Sequence, residues 1–388
     1  MRTFIVLPLL VLLAACTERG PIGPDGPDGP LFKKCSSPPC DKGGGGGGDA
    51  EGDYTITDLG TLPGNTLSGA SGINVNSAGG IQVVGSSWGP DDGFDVPTLW
   101  TVGSDDVPGV DALAMPEDWK YAAALAITEK GIAVGASGVG PVYWAADRSA
   151  KLLPVGAGAS GGRANDVVSL VDGDVFIVGQ QRTSLTQAVY WVGSPFELAT
   201  LPALKPSANA SAEAVNSAGT IAGWSSPGHP VVWHLDTDGS YQVCDLGGGA
   251  DNSGVAFGIS EPTGQPTGQL VYVVGASDAQ DYFATVWTVN LGTTNWASGL
   301  CEVTTTRRLD FFSEFRDVNA QGNAVGEDFR KHRAILWPES NPLVYLPLLT
   351  NKGLGFSGAD AISADGTHIA GRSRIKKGMR AVIWTRKD

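Results

Sequence analysis

The sequence predicts an all-β chain whose body, residues 54–388, forms a seven-bladed β-propeller of four-stranded antiparallel blades. Three observations predict it. A short β-rich run ending in Trp recurs seven times, at spacings of 44, 47, 42, 54, 50 and 47 residues, the period of a four-stranded blade. Each run follows an apolar segment that closes on Gly. The chain carries 55 Gly and 24 Pro in 388 residues, ordinary for short strands joined by tight turns and high for helices.

At the N-terminus, Arg2 supplies a positive charge and residues 4–15 are an apolar run. The run is too short to span a bilayer, which takes about 20 residues, and has the length of a signal-peptide core. It ends Leu13-Ala14-Ala15-Cys16, which resembles the lipobox of bacterial lipoproteins. The resemblance implies a signal peptide over 1–15, acyl chains on Cys16, and attachment to a membrane through them. Thr17 follows where such proteins carry Asp for inner-membrane retention. In a Gram-negative source this implies an outer-membrane anchor facing the periplasm or the cell surface.

Residues 16–53 read as the lipidated Cys and a Gly/Pro-rich tether. Gly20-Pro21-Ile22-Gly23-Pro24-Asp25-Gly26-Pro27-Asp28-Gly29-Pro30 has a three-residue period, too brief for a triple helix and suited to a stiff polyproline-like spacer. Gly43 to Gly48 then make a flexible joint. Apart from Cys16, four cysteines remain, an even number in an oxidising compartment. Cys35 and Cys40 could close a small loop in the tether. Cys244 and Cys301 fall where the fourth strands of adjacent blades are expected. Such outer strands diverge, and a disulfide needs Cα atoms within about 7 Å. Either that bridge is absent or the long fifth unit distorts to make it.

In the body, the third strands end at Trp100, Trp144, Trp191, Trp233, Trp287, Trp337 and Trp384, and the second strands close on Gly85, Gly135, Gly179, Gly223, Gly275, Gly326 and Gly371. Before each second strand come a small-apolar strand and a turn, as in Ala212-Glu213-Ala214-Val215-Asn216-Ser217-Ala218-Gly219. Asn, Asp and Gly tolerate the positive φ of a tight hairpin. A weaker fourth strand follows, as in Glu197-Leu198-Ala199-Thr200-Leu201. The body opens on a lone fourth strand, 54–62, and closes on a third strand at Trp384. Adding the first to the last blade would close the ring and remove exposed edges.

Asp58-Leu59-Gly60-Thr61-Leu62-Pro63-Gly64, Gly72-Ile73-Asn74 and Val83-Val84-Gly85-Ser86-Ser87, with the strand ending on Trp, resemble the extracellular HAF repeats of bacterial surface proteins. The first unit matches best, and the others keep the Gly and Trp. The resemblance implies secretion and repetition. It carries no catalytic residues to transfer.

Net charge is −14, which argues against nucleic-acid binding. Residues 301–388 differ, with 14 basic and 10 acidic groups, and could steer toward an acidic partner. The sequence calls for no cofactor and no metal. Its four His come from three blades without ligand spacing, and Asp91-Asp92-Gly93-Phe94-Asp95 lacks the register of a calcium loop. Ser363-Ala364-Asp365-Gly366-Thr367 only partly fits the sialidase Asp-box.

Function should sit on the face carrying the variable loops, those between strands 2 and 3 and those between units. Its ligand-binding candidates are Trp88, Trp119, Arg163, Trp224, Tyr282, Arg308, Phe329 and Arg330. The expectation is a lipid-anchored, monomeric, non-catalytic binding or scaffolding propeller that presents this face to a glycan, peptide or protein. The alternative is a carbohydrate-active enzyme, sialidase- or lyase-like. An enzyme predicts Asp, Glu, Arg or His converging deep in the axial channel. A binder predicts aromatics on the rim, and an assembly partner predicts an exposed apolar patch on a blade side.

Overall fold

The computed structural model describes residues 53–387 apart from 77, 90–94, 104–106, 171–172, 248–252, 265–268, 278–281, 341 and 351–354. These residues belong to one compact unit, Pro39–Asp388. The expectations for Cys16, Cys35, Cys40, Asp91 and Asp92 lie outside the described residues.

The chain is all-β and propeller-like. In order its strands are β1 (Tyr54–Gly60), β2 (Leu67–Val75), β3 (Ile81–Trp88), β4 (Val96–Val102), β5 (Pro108–Ala112), β6 (Ala122–Ile127), β7 (Ala133–Ser137), β8 (Gly140–Trp144), β9 (Ala150–Leu152), β10 (Gly161–Ser169), β11 (Val175–Arg182), β12 (Thr186–Val192), β13 (Glu197–Thr200) and β14 (Ala210–Val215). Then come β15 (Ile221–Ser225), β16 (His229–Leu235), β17 (Tyr241–Asp245), β18 (Gly254–Ile259), β19 (Leu270–Ser277), β20 (Phe283–Asn290), β21 (Val303–Val318), β22 (Ala324–Asp328), β23 (Arg333–Trp337), β24 (Val344–Tyr345), β25 (Ser357–Ile362), β26 (His368–Ile375) and β27 (Gly378–Arg386). Pairing is antiparallel within six sheets, β2–β5, β6–β9, β10–β13, β14–β17, β18–β24, and β25–β27 joined by β1. In the last sheet Tyr54 lies opposite Arg386 and Ile56 opposite Trp384.

The recurrent Gly has a steric cause. In each first strand the register slips by one residue, and the residue before the slip pairs with the Gly that closes the next strand. Ala70 faces Gly85, Ala124 faces Gly135, Ala164 faces Gly179, Ala212 faces Gly223, Ala256 faces Gly275, Phe315 faces Gly326 and Ala359 faces Gly371. A Cβ on Gly275 or Gly326 would stand 1.9 Å from the carbonyl oxygen of Val255 or Glu314. Only a residue without Cβ lets the bulged strand come so close.

The recurrent Trp packs between sheets. Trp144 is buried among Val84 and Leu99 of the preceding sheet and Ala122 and Ala124 of its own. Indole N–H groups donate to carbonyls just beyond the previous outer strand, Trp144 to Ala114 (2.7 Å), Trp191 to Pro154 (2.7 Å), Trp233 to Pro202 (2.6 Å) and Trp384 to Pro347 (2.8 Å). Such an acceptor satisfies the N–H of a buried indole; Trp100 is buried with its Nε1 unsatisfied among the described residues. The hairpin expectation also holds, since Asn76, Asn216 and Asn319 accept backbone N–H groups across turns whose Gly79, Gly219 and Gly322 have positive φ.

The weak fourth strand expected after Trp100 is β5, which pairs along β4. Two local expectations need correction. Arg307 and Arg308 are not loop residues. They lie in β21, whose first half pairs with β20 and whose second half pairs with β22. Cys301 is on no outer strand, because residues 291–302 fold back so that Cys301 N–H donates to Asp245 O (3.1 Å). That return brings Cys301 to Cys244 with Cα atoms 5.0 Å apart, and the two form a disulfide. The divergence of outer strands is thus bypassed by an insertion.

Candidate active site

The first strands β2, β6, β10, β14, β18, β21 and β25 surround a cavity of about 160 Å³. The residue at each bulge lines it: Ser71, Leu125, Asn165, Glu213, Phe257, Arg316 and Asp360. Asp166 and Asp317 line it as well. The bulge turns into the cavity one side chain per strand that strict alternation would place elsewhere.

Glu213 is the focus of one polar group. Its Oε1 accepts Trp224 Nε1–H at 3.1 Å, and its Oε2 accepts Asn165 Nδ2–H at 3.1 Å. Asn165 is itself fixed by a 2.7 Å bond to Ala212 O and accepts Arg163 Nε–H at 2.5 Å. The Arg163 guanidinium stands 4.0 Å from Glu213.

A second group gathers around Asp360 and Arg316. Arg372 Nη1 binds both oxygens of Asp360 (2.6 and 2.8 Å), and its Nη2 reaches Glu327 Oε2 at 3.3 Å. Arg316 pairs with Glu314 and lies 4.6 Å from the Phe257 ring centre. Burial pushes the Glu327 carboxyl up to about 8, against the opposing pull of Arg372. Burial alone would lower Arg372, but Asp360 and Glu327 outweigh it and hold the guanidinium above its ordinary value.

Asp166 and Asp317 are anchors between first strands. Asp166 accepts Val167 N–H and, from the next sheet, Val215 N–H (2.8 Å each). Asp317 does the same with Val318 (2.8 Å) and Ile362 (2.9 Å). Burial raises them to about 7 and about 6, and these N–H groups oppose it.

The eight expected ligand-binding residues separate into two groups and two single positions. Arg163 and Trp224 sit on β10 and β15, strands rather than loops, and both reach the Glu213 group. Tyr282, Phe329, Arg330 and Arg308 gather beside Phe312 where β20, β21 and β22 meet. Trp88 ends β3 half-buried, its ring over Gly69. Trp119 is only 6% exposed and packs in the core between sheets, so it is not a rim residue.

Glu213, Asp360 and Arg316 were not singled out from sequence. Their signal is a triplet in each first strand of Ala (Phe315 in β21), a variable residue, then Ala, Gly or Asp, whose middle position lines the cavity. Part of the basic cluster of residues 301–388 is engaged internally, while Arg308, Arg330, Arg374, Lys376 and Lys377 are exposed. Arg307 lies over Trp337 and donates to Glu339 O, Arg333 donates to Leu346 O, and Arg372 is held by carboxylates. Asp365, in the partial Asp-box, closes a hairpin by accepting Thr367 N–H and the Ser363 hydroxyl. Among the described residues no group of three or more His, Cys, Asp or Glu is placed to hold a metal ion.

No family model matches the chain, and no curated protein does. Among solved structures, virginiamycin B lyase from Staphylococcus aureus is similar with a TM-score of 0.54 at 11% identity, covering 86% of this chain and 99% of that one. Its catalytically inactive form with quinupristin gives 0.53 at 10% identity over 86% and 99%. A puromycin hydrolase gives 0.51 at 15% identity over 84% of this chain and 53% of that one. At such identities the likeness is one of fold. The expectation of a non-catalytic binding or scaffolding propeller is corrected here, because the proteins of similar fold are enzymes. Charged groups also converge on one cavity, as the enzyme alternative leads one to expect.

Proposed function

We propose that the chain is a carbohydrate-active, lyase-like enzyme whose reaction takes place at the axial cavity. The observation that carries this is the convergence of Asn165, Glu213, Arg316 and Asp360 on one cavity otherwise lined mostly by small and apolar residues. Buried charge of this kind is costly to a fold and useful to catalysis. The virginiamycin B lyase likeness adds a fold on which elimination chemistry is carried out.

Elimination at a uronate sugar requires three things. A base takes the proton next to the carboxylate, a cation steadies the charge that develops, and an acid protonates the departing glycosidic oxygen. The C–O bond breaks and a C=C bond remains in the product. Glu213, oriented by Trp224 and Asn165, takes the base role. Arg163 is the cation beside it. Glu327, whose carboxyl burial pushes up to about 8, is the acid; it stands just behind the cavity lining, joined to the lining residue Asp360 through Arg372.

The same reading takes the six sheets as seven blades, the seven-stranded sheet counting as two that share β21, with the ring closed by β1 on β27. Supporting it are the seven bulges opposite Gly and the seven apolar clusters, each joining one set of strands to the next. A lipoprotein address through Cys16, the tether to residue 53, HAF-type repeats and outer-membrane localisation complete it, on the residues quoted above. The test is the full-length chain in detergent, offered a panel of uronate-bearing and neutral glycans, with unsaturated product read by ultraviolet absorbance. Product from at least one uronate glycan is expected. Silence across the panel would overturn the reading.

A further inference from the structure

The ladder between β21 and β22 runs outward from the charged groups at the axis. Glu314 faces Glu327, the next pair out is Ser313 with Asp328, and Phe329 N–H then donates to Phe312 O at 3.1 Å. Two ladder steps cover about 7 Å, the length of one to two sugar units. At the end of this path Phe312 and Phe329 have ring centres 4.8 Å apart, and the Tyr282 ring backs both at 6.2 and 6.3 Å. Phe312 is 47% exposed. No fold requirement calls for an exposed Phe here.

Two cations flank the rings. Arg330 lies 3.6 Å above Phe311 and is steadied by Asp328 at 3.4 Å, and Arg308 lies 4.9 Å above Phe283. Both guanidiniums are thereby pre-positioned yet exposed. Asp310, on β21 as well, is also exposed. A patch of three rings is far smaller than the roughly 800 Å² per partner of a stable protein interface. It fits a flat ring with an anionic substituent.

We infer that Phe312 and Phe329, with Arg308 and Arg330, form a subsite for an acidic sugar ring, one to two units out from the reacting bond. This rests on the proposed glycan substrate, and its test reads binding rather than turnover. Calorimetric titration of the full-length chain in detergent uses three probes: digalacturonate, hexagalacturonate and neutral cellohexaose. Hexagalacturonate is expected to bind roughly tenfold or more tightly than the dimer. Phe312→Ala removes that gain without changing the circular dichroism, and Arg330→Gln reduces it for hexagalacturonate.

Three results would overturn the subsite: no binding of hexagalacturonate by the wild type, an unchanged affinity in Phe312→Ala, or cellohexaose binding as tightly as hexagalacturonate. Failure of the enzymatic reading is distinguishable, because it shows as absent product while this length- and charge-dependent binding persists.

Discussion

Replacing Gly85 by Ala tests why the repeat carries Gly. The new Cβ would stand 2.0 Å from Gly69 O and 2.9 Å from Ala70 Cα. Both are backbone atoms, so no rotamer change relieves the clash and the strand must move by more than 1 Å. That places the cost at the upper end of overpacking, about 3 kcal/mol. Gly69→Ala is the internal control on the partner strand. Its Cβ would meet nothing nearer than the Trp88 ring at 3.7 Å, and the loss of unfolded-state freedom should stabilise by about 0.5 kcal/mol. Unfolding of a roughly 330-residue body carries an entropy of about 0.7 kcal/mol/K, so the two variants should differ by about 5 °C in midpoint. Thermal and urea denaturation followed by circular dichroism reads this. If Gly85→Ala unfolds within 1 kcal/mol of the wild type, or no earlier than Gly69→Ala, the steric account of the repeat is wrong.

Other consequences follow from the same contacts. Cys301→Ser opens a link between residues 57 apart and should cost about 4 kcal/mol on the loop-entropy account. Reductant should lower the wild-type urea midpoint and leave the variant's unchanged. Asp95 is 4% exposed, and burial lifts its carboxyl to about 7. The folded state therefore holds an extra proton between about pH 4 and 7, so stability falls as pH rises through that window. Asp95→Asn should gain stability relative to wild type as pH goes from 4 to 8, checked by urea titration at each pH. Glu327→Gln should abolish the alkaline limb of the rate profile near pH 8 and lower kcat more than KM. An unchanged profile would remove Glu327 from the acid role.

The framework was legible because its determinants are local. Trp and Gly mark positions where the sheet stack tolerates nothing else, and Asn216 or Asn319 mark hairpins that need a side-chain acceptor. The site was less legible for the opposite reason. Glu213, Arg316 and Asp360 occupy the variable place in their first strands, and only the packing of the sheets brings them to one cavity. The sequence pattern puts Arg163 and Trp224 on loops, whereas they are strand residues holding Glu213. Trp119 looked like rim decoration, but its burial against Val84 and Leu99 was invisible without the neighbouring sheet. The Cys244–Cys301 link likewise depended on a backfolded insertion that no strand pattern encodes.

Catalysis at the axial cavity stands or falls on the turnover of Glu213→Gln. The exchange keeps the size of the side chain, and an amide oxygen can still accept from Trp224, so the fold should survive. Assayed on whichever uronate glycan the wild type cleaves, the variant should lose at least about 100-fold in kcat, the scale of a lost general base. A variant that turns over at the wild-type rate would contradict catalysis at the axial cavity.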